Sequence, residues 1–204
     1  MQTIRQRLHA LLLLAALTIS LAVPASAAGS LPFTDVDPSE WYYTYVQDLY
    51  DAGIVDGVTS TAFRPEGTVT FGQALKLVLM AAGYENQAPT GTHWASGFYD
   101  LAQREGLLPS GLNLGLDDAI TRLEIAEITV LAMDLSRTSQ DPSPFADSDA
   151  EAALILWDHG IFEGSASGDQ ILFQPQDDIS RAEITTVIWR IYHYTPPESP
   201  ETPP

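Results

Sequence analysis

The chain has 204 residues, of which 45% are hydrophobic, a length that suits one domain or a short array of repeats. Nine basic residues against 27 acidic ones give a formal net charge of −18, which excludes a nucleic-acid binder because phosphates require a basic surface. Binding to anionic lipid is disfavoured for the same reason. Cysteine is absent, which excludes disulfides, thiolate metal sites and a cysteine nucleophile.

The first 28 residues have the pattern of a secretory signal peptide. Arg5 and Arg7 precede the apolar run 10–23, and residues 25–27, Ala-Ser-Ala, have the small side chains of a cleavage site. The apolar run is shorter than the ~20 residues of a membrane-spanning helix, so we favour a cleaved signal over a membrane anchor. After cleavage, seven basic residues would remain against 27 acidic ones, a charge of −20. We expect an exported chain without membrane insertion.

Three stretches of the remaining chain repeat one pattern. The clearest element is a Ser/Thr-x-x-Glu/Gln sequence at residues 70–73, 121–124 and 180–183. On this basis the units span residues 33–84 (unit one), 90–136 (unit two) and 144–194 (unit three). The Pro-rich tail at 195–204 is predicted to be disordered.

Each unit contains two predicted helices joined by a loop rich in Gly and Pro. In unit one, Trp41, Tyr45, Val46 and Leu49 fall on one face of the first helix, and Gly53 is a plausible left-handed end. A two-helix unit cannot enclose its own apolar stripe. We therefore expect a mainly α fold in which three helix-loop-helix units pack together around their second helices.

The repeated Ser/Thr-x-x-Glu/Gln sequence is a capping box, which predicts that a helix begins there. Arg122 and Arg181 follow the cap in units two and three, where unit one has Phe71. Capping does not require this cation, which opposes the helix dipole. Beside free helix N–H groups, however, a guanidinium suits a carboxylate ligand. The alternative is a salt bridge to the acidic pairs at 117–118 or 177–178. Because the caps would remain, we expect alanine at either arginine to change stability little.

The three units resemble S-layer homology repeats, whose motifs recur here in triplicate and in order. In this chain they read Phe33-Thr34-Asp35-Val36, Trp41, Gly53-Ile54-Val55-Asp56-Gly57, Phe63-Arg64-Pro65 and Ile120-Thr121-Arg122-Leu123-Glu124. The resemblance implies a pseudo-threefold spindle around a central helix bundle. It also implies noncovalent binding of an acidic, commonly pyruvylated secondary cell-wall polysaccharide in grooves between repeats. Carried over by position, the ligand-binding residues are Arg122, Arg181, Thr121 and Ser180.

Several features depart from the family pattern. Unit one has Phe71 in place of the arginine, so its groove contact is in doubt. Unit two lacks the Phe-x-Asp-Val start, and unit three lacks the usual Trp. For Trp41 and Trp94 we favour a role as core anchors over one as sugar-stacking platforms.

No other motif in the chain suggests chemistry. The histidines at 93, 159 and 193 lack metal-ligand spacing, so we predict no metal, no cofactor and no catalytic residue. The favoured hypothesis is a secreted, non-enzymatic module of a Gram-positive-type cell surface that binds wall polysaccharide. The alternative is a structural or interaction protein that keeps the fold, has lost polymer binding and pairs with other surface proteins.

Overall fold

The computed structural model describes residues 30–196, so the predicted signal peptide and residues 197–204 of the tail lie outside the described residues. Over the described range the chain is mainly α, as expected, with one small antiparallel sheet. The elements are α1 (Tyr43–Asp51), α2 (Phe71–Ala81), α3 (Ser96–Arg104), α4 (Arg122–Met133), α5 (Glu151–Asp158), β1 (Ser165–Ser167), β2 (Gln170–Leu172) and α6 (Arg181–Tyr192). No helix in this range is long and apolar enough to cross a bilayer.

The second helix of each unit, α2, α4 or α6, begins at the predicted capping box. Thr70, Thr121 and Ser180 each accept a hydrogen bond from the backbone N–H three residues later, and the Gln or Glu side chain at that position accepts from the cap N–H. The first helices end before Gly53, Gly106 and Gly160, whose φ angles of 72°, 71° and 66° lie in the left-handed region. Both predictions of helix boundaries are confirmed.

The segments before the three capped helices join the units in a closed ring. Isolated antiparallel bridges pair Thr68 with Ser180, Thr70 with Ala119, and Thr121 with Asp178. The first backbone N–H of each capped helix also donates a hydrogen bond to a carbonyl of the neighbouring unit. These bonds run from Phe71 to Asp118, from Arg122 to Asp177 and from Arg181 to Gly67, each at 2.9 Å. Unit one thus contacts unit two, unit two contacts unit three, and unit three contacts unit one.

The sequence analysis assumed that the backbone N–H groups at the helix starts are free, and the ring shows that this assumption is wrong. The second N–H of each helix also donates to the neighbouring unit, from Gly72 to Leu116 (2.9 Å), from Leu123 to Pro175 (3.1 Å) and from Ala182 to Pro65 (2.8 Å). The third donates to the cap side chain. The first three N–H groups therefore already have partners, and the helix termini present no open anion site.

Helix packing also crosses from one unit to the next. The second helix of each unit packs against the first helix of the following one: α2 against α3, α4 against α5, and α6 against α1. Helix α2 additionally contacts α4 and α6, and its residues Leu75, Val78 and Leu79 are fully buried. Because the core forms between units, we expect no unit to fold alone.

The Phe-x-Asp start anchors the loop between the two helices of units one and three. The Asp35 carboxylate accepts hydrogen bonds from the N–H groups of Phe63 and Arg64, both at 2.8 Å. Asp147 accepts the same pair of bonds from residues 173–174. In each loop the second of these residues has a φ of 57°, a strained conformation that the carboxylate bonds help to hold.

Candidate functional site

Three clefts, which we name grooves 1, 2 and 3, lie where units meet. Their volumes are about 310, 430 and 420 Å³. Groove 1 is lined by Asp56, Gly57, Val58, Gln73, Lys76, Leu77, Trp94 and Arg181. Groove 2 is lined by Trp41, Tyr45, Arg122, Phe162, Glu163, Gly164, Ser165, Ile179, Glu183, Thr186, Val187 and Arg190. Groove 3 is lined by Gly106, Leu108, Pro109, Ser110, Glu127, Val130, Leu131, Glu151, Ala152 and Ile155.

In groove 1, Arg181 of unit three reaches across to unit one. Its Nε donates to the Phe63 carbonyl at 2.7 Å, and its Nη2 donates to the Asp56 carbonyl at 2.8 Å. The guanidinium carbon lies 4.6 Å from the centroid of the Phe63 ring, a cation–π distance. Burial lowers the pKa of Arg181, while the charges of Asp35 and Asp56 act in the opposite direction. Arg181 therefore joins two units and also presents a cation to the groove.

In groove 2, Arg122 of unit two reaches unit three in the same way. Its Nε donates to the Phe173 carbonyl at 2.7 Å, and its Nη1 lies 3.6 Å from Glu183 Oε1. The guanidinium carbon is 4.9 Å from the centroid of the Phe162 ring. Burial lowers the pKa of Arg122, and Glu183 is the foremost charge that opposes this shift.

The salt bridges to the acidic pairs at 117–118 and 177–178, the alternative left open by the sequence, do not form. Among residues 30–196, Arg122 pairs only with Glu183, and Arg181 has no carboxylate partner within 4.0 Å. Both side chains extend away from their own loop into the next unit, where backbone carbonyls accept hydrogen bonds from them. Local sequence proximity was therefore the wrong guide to their partners.

Thr121 and Ser180 lie at the helix starts with their hydroxyls engaged as caps. Thr121 Oγ1 donates to Glu124 Oε2 at 2.8 Å, and Ser180 Oγ donates to Glu183 Oε2 at 2.7 Å. Of the four predicted ligand residues, the groove linings given above include the two arginines and neither hydroxyl. Ser180 acts on groove 2 through Glu183, whose carboxylate it orients.

The expectation that Trp41 and Trp94 anchor the core is wrong. Trp41 is 57% exposed and lies on the wall of groove 2, and Trp94 is 45% exposed and lies on the wall of groove 1. Both precede the helices α1 and α3, so the helical periodicity used for Trp41 does not apply there. The neighbouring Tyr42 occupies the buried position instead, with 5% exposure.

Phe71 belongs to the junction of units one and two, away from groove 1. It is 1% exposed and packs edge-on against Tyr99, at 6.1 Å between ring centroids. Each arginine serves a groove walled by the next unit in the ring, so Arg181 of unit three supplies the cation of groove 1. Groove 1 therefore has a guanidinium although unit one has no arginine at this position. The sequence analysis had assumed that each unit supplies its own cation.

Replacing Phe71 by arginine is expected to lower the free energy of unfolding by ~2 kcal/mol, because a buried aromatic ring and its packing are lost. We expect no gain in polymer affinity. Phe71 lies at the junction of groove 3, whose described lining has two carboxylates and no second cation to help bind an acidic sugar. Thermal melting and wall binding of Phe71→Arg and Phe71→Leu, measured together, test this. Tighter polymer binding by Phe71→Arg at an unchanged melting temperature would contradict the assignment of Phe71 to the core.

The charges on the groove walls differ in sign. Groove 1 has two cations and one carboxylate, groove 2 has two of each, and groove 3 has two carboxylates and no cation in its described lining. The charged residues are, in that order, Arg181, Lys76 and Asp56; Arg122, Arg190, Glu163 and Glu183; Glu127 and Glu151. Among the described residues no three His, Asp or Glu side chains are grouped to hold a metal ion.

Sequence reasoning missed Lys76 and Arg190 as groove residues. Lys76 forms an ion pair with Asp56, and Arg190 Nη2 forms one with Glu163 Oε2 at 2.5 Å. Both cations lie on the same helix face as the capping-box Gln or Glu, at helical spacing from it. Aligning the three capped helices by their caps would have revealed this face.

Comparison with known proteins finds a family match for part of the chain and several longer relatives. Residues 32–75 match the family model of the S-layer homology domain. The chain is 26% identical to an endoglucanase of Bacillus sp. (strain KSM-635), over 93% of this chain and 24% of that protein. It is 28% identical to a surface-layer 125 kDa protein of Lysinibacillus sphaericus, over 85% of this chain and 17% of that one. A cell surface protein of Thermoanaerobacter kivui is 31% identical over 50% of this chain and 13% of its own length.

The chain thus spans about a quarter or less of the length of these relatives. The matched domain is a binding module of cell-surface proteins, and in this chain the match covers α1 and the capping box at the start of α2. Unit one therefore contains a match to the S-layer homology domain at residues 32–75, and the chain is similar to parts of a surface-layer protein and a cell surface protein.

Proposed function

We propose that the chain is an exported, non-enzymatic module that attaches noncovalently to acidic, pyruvylated secondary cell-wall polysaccharide of a Gram-positive-type envelope. The observation that carries this proposal is that grooves 1 and 2 are lined by the same three kinds of side chain. Each combines a buried arginine, a second cation and an exposed tryptophan. An acidic sugar offers a carboxylate for the guanidinium and an apolar ring face for the indole.

Groove 1 is the better suited of the two to an anionic group, because its cations outnumber its carboxylate. Lys76 is paired with Asp56, whose side chain is 68% exposed, so that exchange for a ligand carboxylate costs little. In groove 2, Arg122 and Arg190 both face carboxylates of unit three. A ligand there must displace or bridge these pairs. We therefore assign the pyruvate carboxylate to groove 1 and a less charged stretch of the polymer to groove 2.

The net charge opposes this function at a distance. A chain of charge −20 is repelled by an anionic polymer over about one Debye length, ~8 Å at physiological salt. Occupation of two grooves by one polymer raises the effective concentration at the second groove and offsets this repulsion. Relatives named as an endoglucanase and as a surface-layer protein share this segment within much longer chains, which supports a role in attachment.

Cosedimentation with purified wall sacculi tests the proposal, with sacculi stripped of secondary polysaccharide as the comparison. Trp94→Ala with Lys76→Gln alters groove 1, and Trp41→Ala with Arg190→Gln alters groove 2. Each pair should weaken binding about tenfold, since a charge-assisted bond and a stacking contact are lost together. Melting temperatures should change little, because both tryptophans are exposed and the ion pairs of Lys76 and Arg190 involve carboxylates, Asp56 and Glu163, that are 68% and 61% exposed.

Tyr192→Ala is the matched control, because Tyr192 is an aromatic residue with 44% exposure that lies in none of the three groove linings. Its binding should equal that of the unmodified chain. The proposal would be contradicted if the unmodified chain pelleted equally with stripped and intact sacculi. It would also be contradicted if a variant with all four substitutions bound sacculi as well as the unmodified chain. Either outcome would favour the second candidate, an interaction protein without polymer binding, which the intramolecular bonds of both arginines support.

A further inference from the structure

Groove 3 has the same place in the ring as the other two grooves but the opposite chemistry. We infer that it is a docking site for a basic, amphipathic segment of a partner protein. In this complex, Lys or Arg side chains of the segment pair with Glu127 and Glu151, and its aliphatic side chains cover Leu131 and Val130. The inference is independent of the proposed polymer binding, because grooves 1 and 2 share no lining residue with groove 3.

Comparison of equivalent positions shows the inversion of charge. The sixth residue after the cap is Lys76 in α2 and Thr186 in α6, but Glu127 in α4. Four residues further on, α6 has Arg190 and α4 has Leu131. The same scaffold positions that present cations in grooves 1 and 2 thus present a carboxylate and an aliphatic side chain in groove 3. A ligand of grooves 1 and 2 is repelled by groove 3, and a cationic ligand is favoured.

The floor of groove 3 is apolar and in part open to solvent. Leu131 is 39% exposed, although most large aliphatic side chains of the described chain are buried. Leu108 and Val130 are half-buried beside it, and Ile155 of α5 is almost fully buried. Covering this surface would remove apolar area from water, which provides affinity that a purely acidic surface lacks.

The two carboxylates border this apolar floor without cationic partners. None of the ion pairs among residues 30–196 involves Glu127 or Glu151. Burial and the neighbouring Glu124 raise the pKa of Glu127, because its charged form is poorly solvated there. A Lys or Arg side chain placed beside Glu127 would relieve both effects. Charge complementarity therefore selects a basic partner, and the apolar floor selects one with aliphatic side chains next to its charges.

A pair of synthetic peptides tests the inference on the intact chain. One alternates Lys and Leu over six residues, and the other alternates Glu and Leu. Fluorescence anisotropy at physiological salt should show binding of the Lys peptide and none of the Glu peptide. The double variant Glu127→Gln/Glu151→Gln should weaken binding of the Lys peptide about tenfold, and Leu131→Ala should weaken it several-fold.

The control is Glu40→Gln/Glu66→Gln, which removes the same charge from exposed positions outside the three groove linings. It should change the dissociation constant less than twofold. Equal weakening by both double variants would mean that the peptide senses only the overall acidity, and would overturn the inference, as would failure of the Lys peptide to bind. Wall binding of Glu127→Gln/Glu151→Gln should stay unchanged, so this result is separable from the fate of the proposed polymer binding.

Discussion

Replacing Arg181 by alanine is expected to lower the free energy of unfolding by ~3 kcal/mol. Arg181 is 8% exposed, and its side chain donates hydrogen bonds to the carbonyls of Phe63 and Asp56, 118 and 125 residues earlier in the chain. Alanine leaves both carbonyls without these donors and removes the cation–π contact with Phe63. The sequence-based expectation of almost unchanged stability assumed an exposed arginine, and the burial of Arg181 reverses it.

Urea denaturation followed by circular dichroism measures this effect. Arg181→Lys retains the charge but cannot reproduce the planar fork that reaches two carbonyls, so an intermediate loss is expected. Arg104→Ala is the control, since the Arg104 side chain is 63% exposed, and its loss should stay within ~0.5 kcal/mol. Equal stability of Arg181→Ala and Arg104→Ala would show that the guanidinium does not hold units one and three together. For wall binding, it follows that Arg181→Ala alone cannot separate ligand contact from folding.

Replacing Asp158 by alanine is expected to cost about 3 kcal/mol as well. Its side chain is 4% exposed and accepts hydrogen bonds from Arg137 Nε (2.7 Å), Thr138 N (2.9 Å) and Ser139 N (3.0 Å). These bonds attach the segment between units two and three to the end of α5. Alanine would leave the partly buried Arg137 guanidinium and two backbone N–H groups without their acceptor.

The same carboxylate predicts a loss of stability in acid. Burial raises the pKa of Asp158, but the bonds from Ser139, Arg137 and Thr138 together outweigh burial and hold its pKa below the usual range. A folded-state pKa below the unfolded value, near 3.9, means that the stabilisation is present above that value. It is lost as the pH falls through the folded pKa.

Urea midpoints at pH 7 and pH 3 check this expectation. The difference between the two pH values should be smaller in Asp158→Asn than in the unmodified chain, because the variant has no proton to bind at this site. Asp169→Asn, at an exposed position of the turn between β1 and β2, serves as the control and should keep the full difference. An identical pH dependence in all three proteins would exclude Asp158 as a source of the acid sensitivity.

Local interactions made much of the fold predictable. A capping box needs only a Ser or Thr and a Glu or Gln three residues later, and all three predicted boxes form. The left-handed ends at Gly53, Gly106 and Gly160 depend on one residue each. The assignment of Trp41 to the core failed because the helix begins two residues later, at Tyr43, so that helical periodicity was applied to a residue outside the helix.

The sequence by itself determined the mainly α composition, the helix starts and ends, and the resemblance to S-layer homology repeats. Only the tertiary structure decided which unit's arginine serves which groove, because Arg122 and Arg181 bind carbonyls 51 and 118 residues away. Contacts at that separation arise from the closed ring of units, and no local pattern encodes the order in which the ring closes. For the same reason the opposite charges of the grooves become visible only when side chains from different units are placed together.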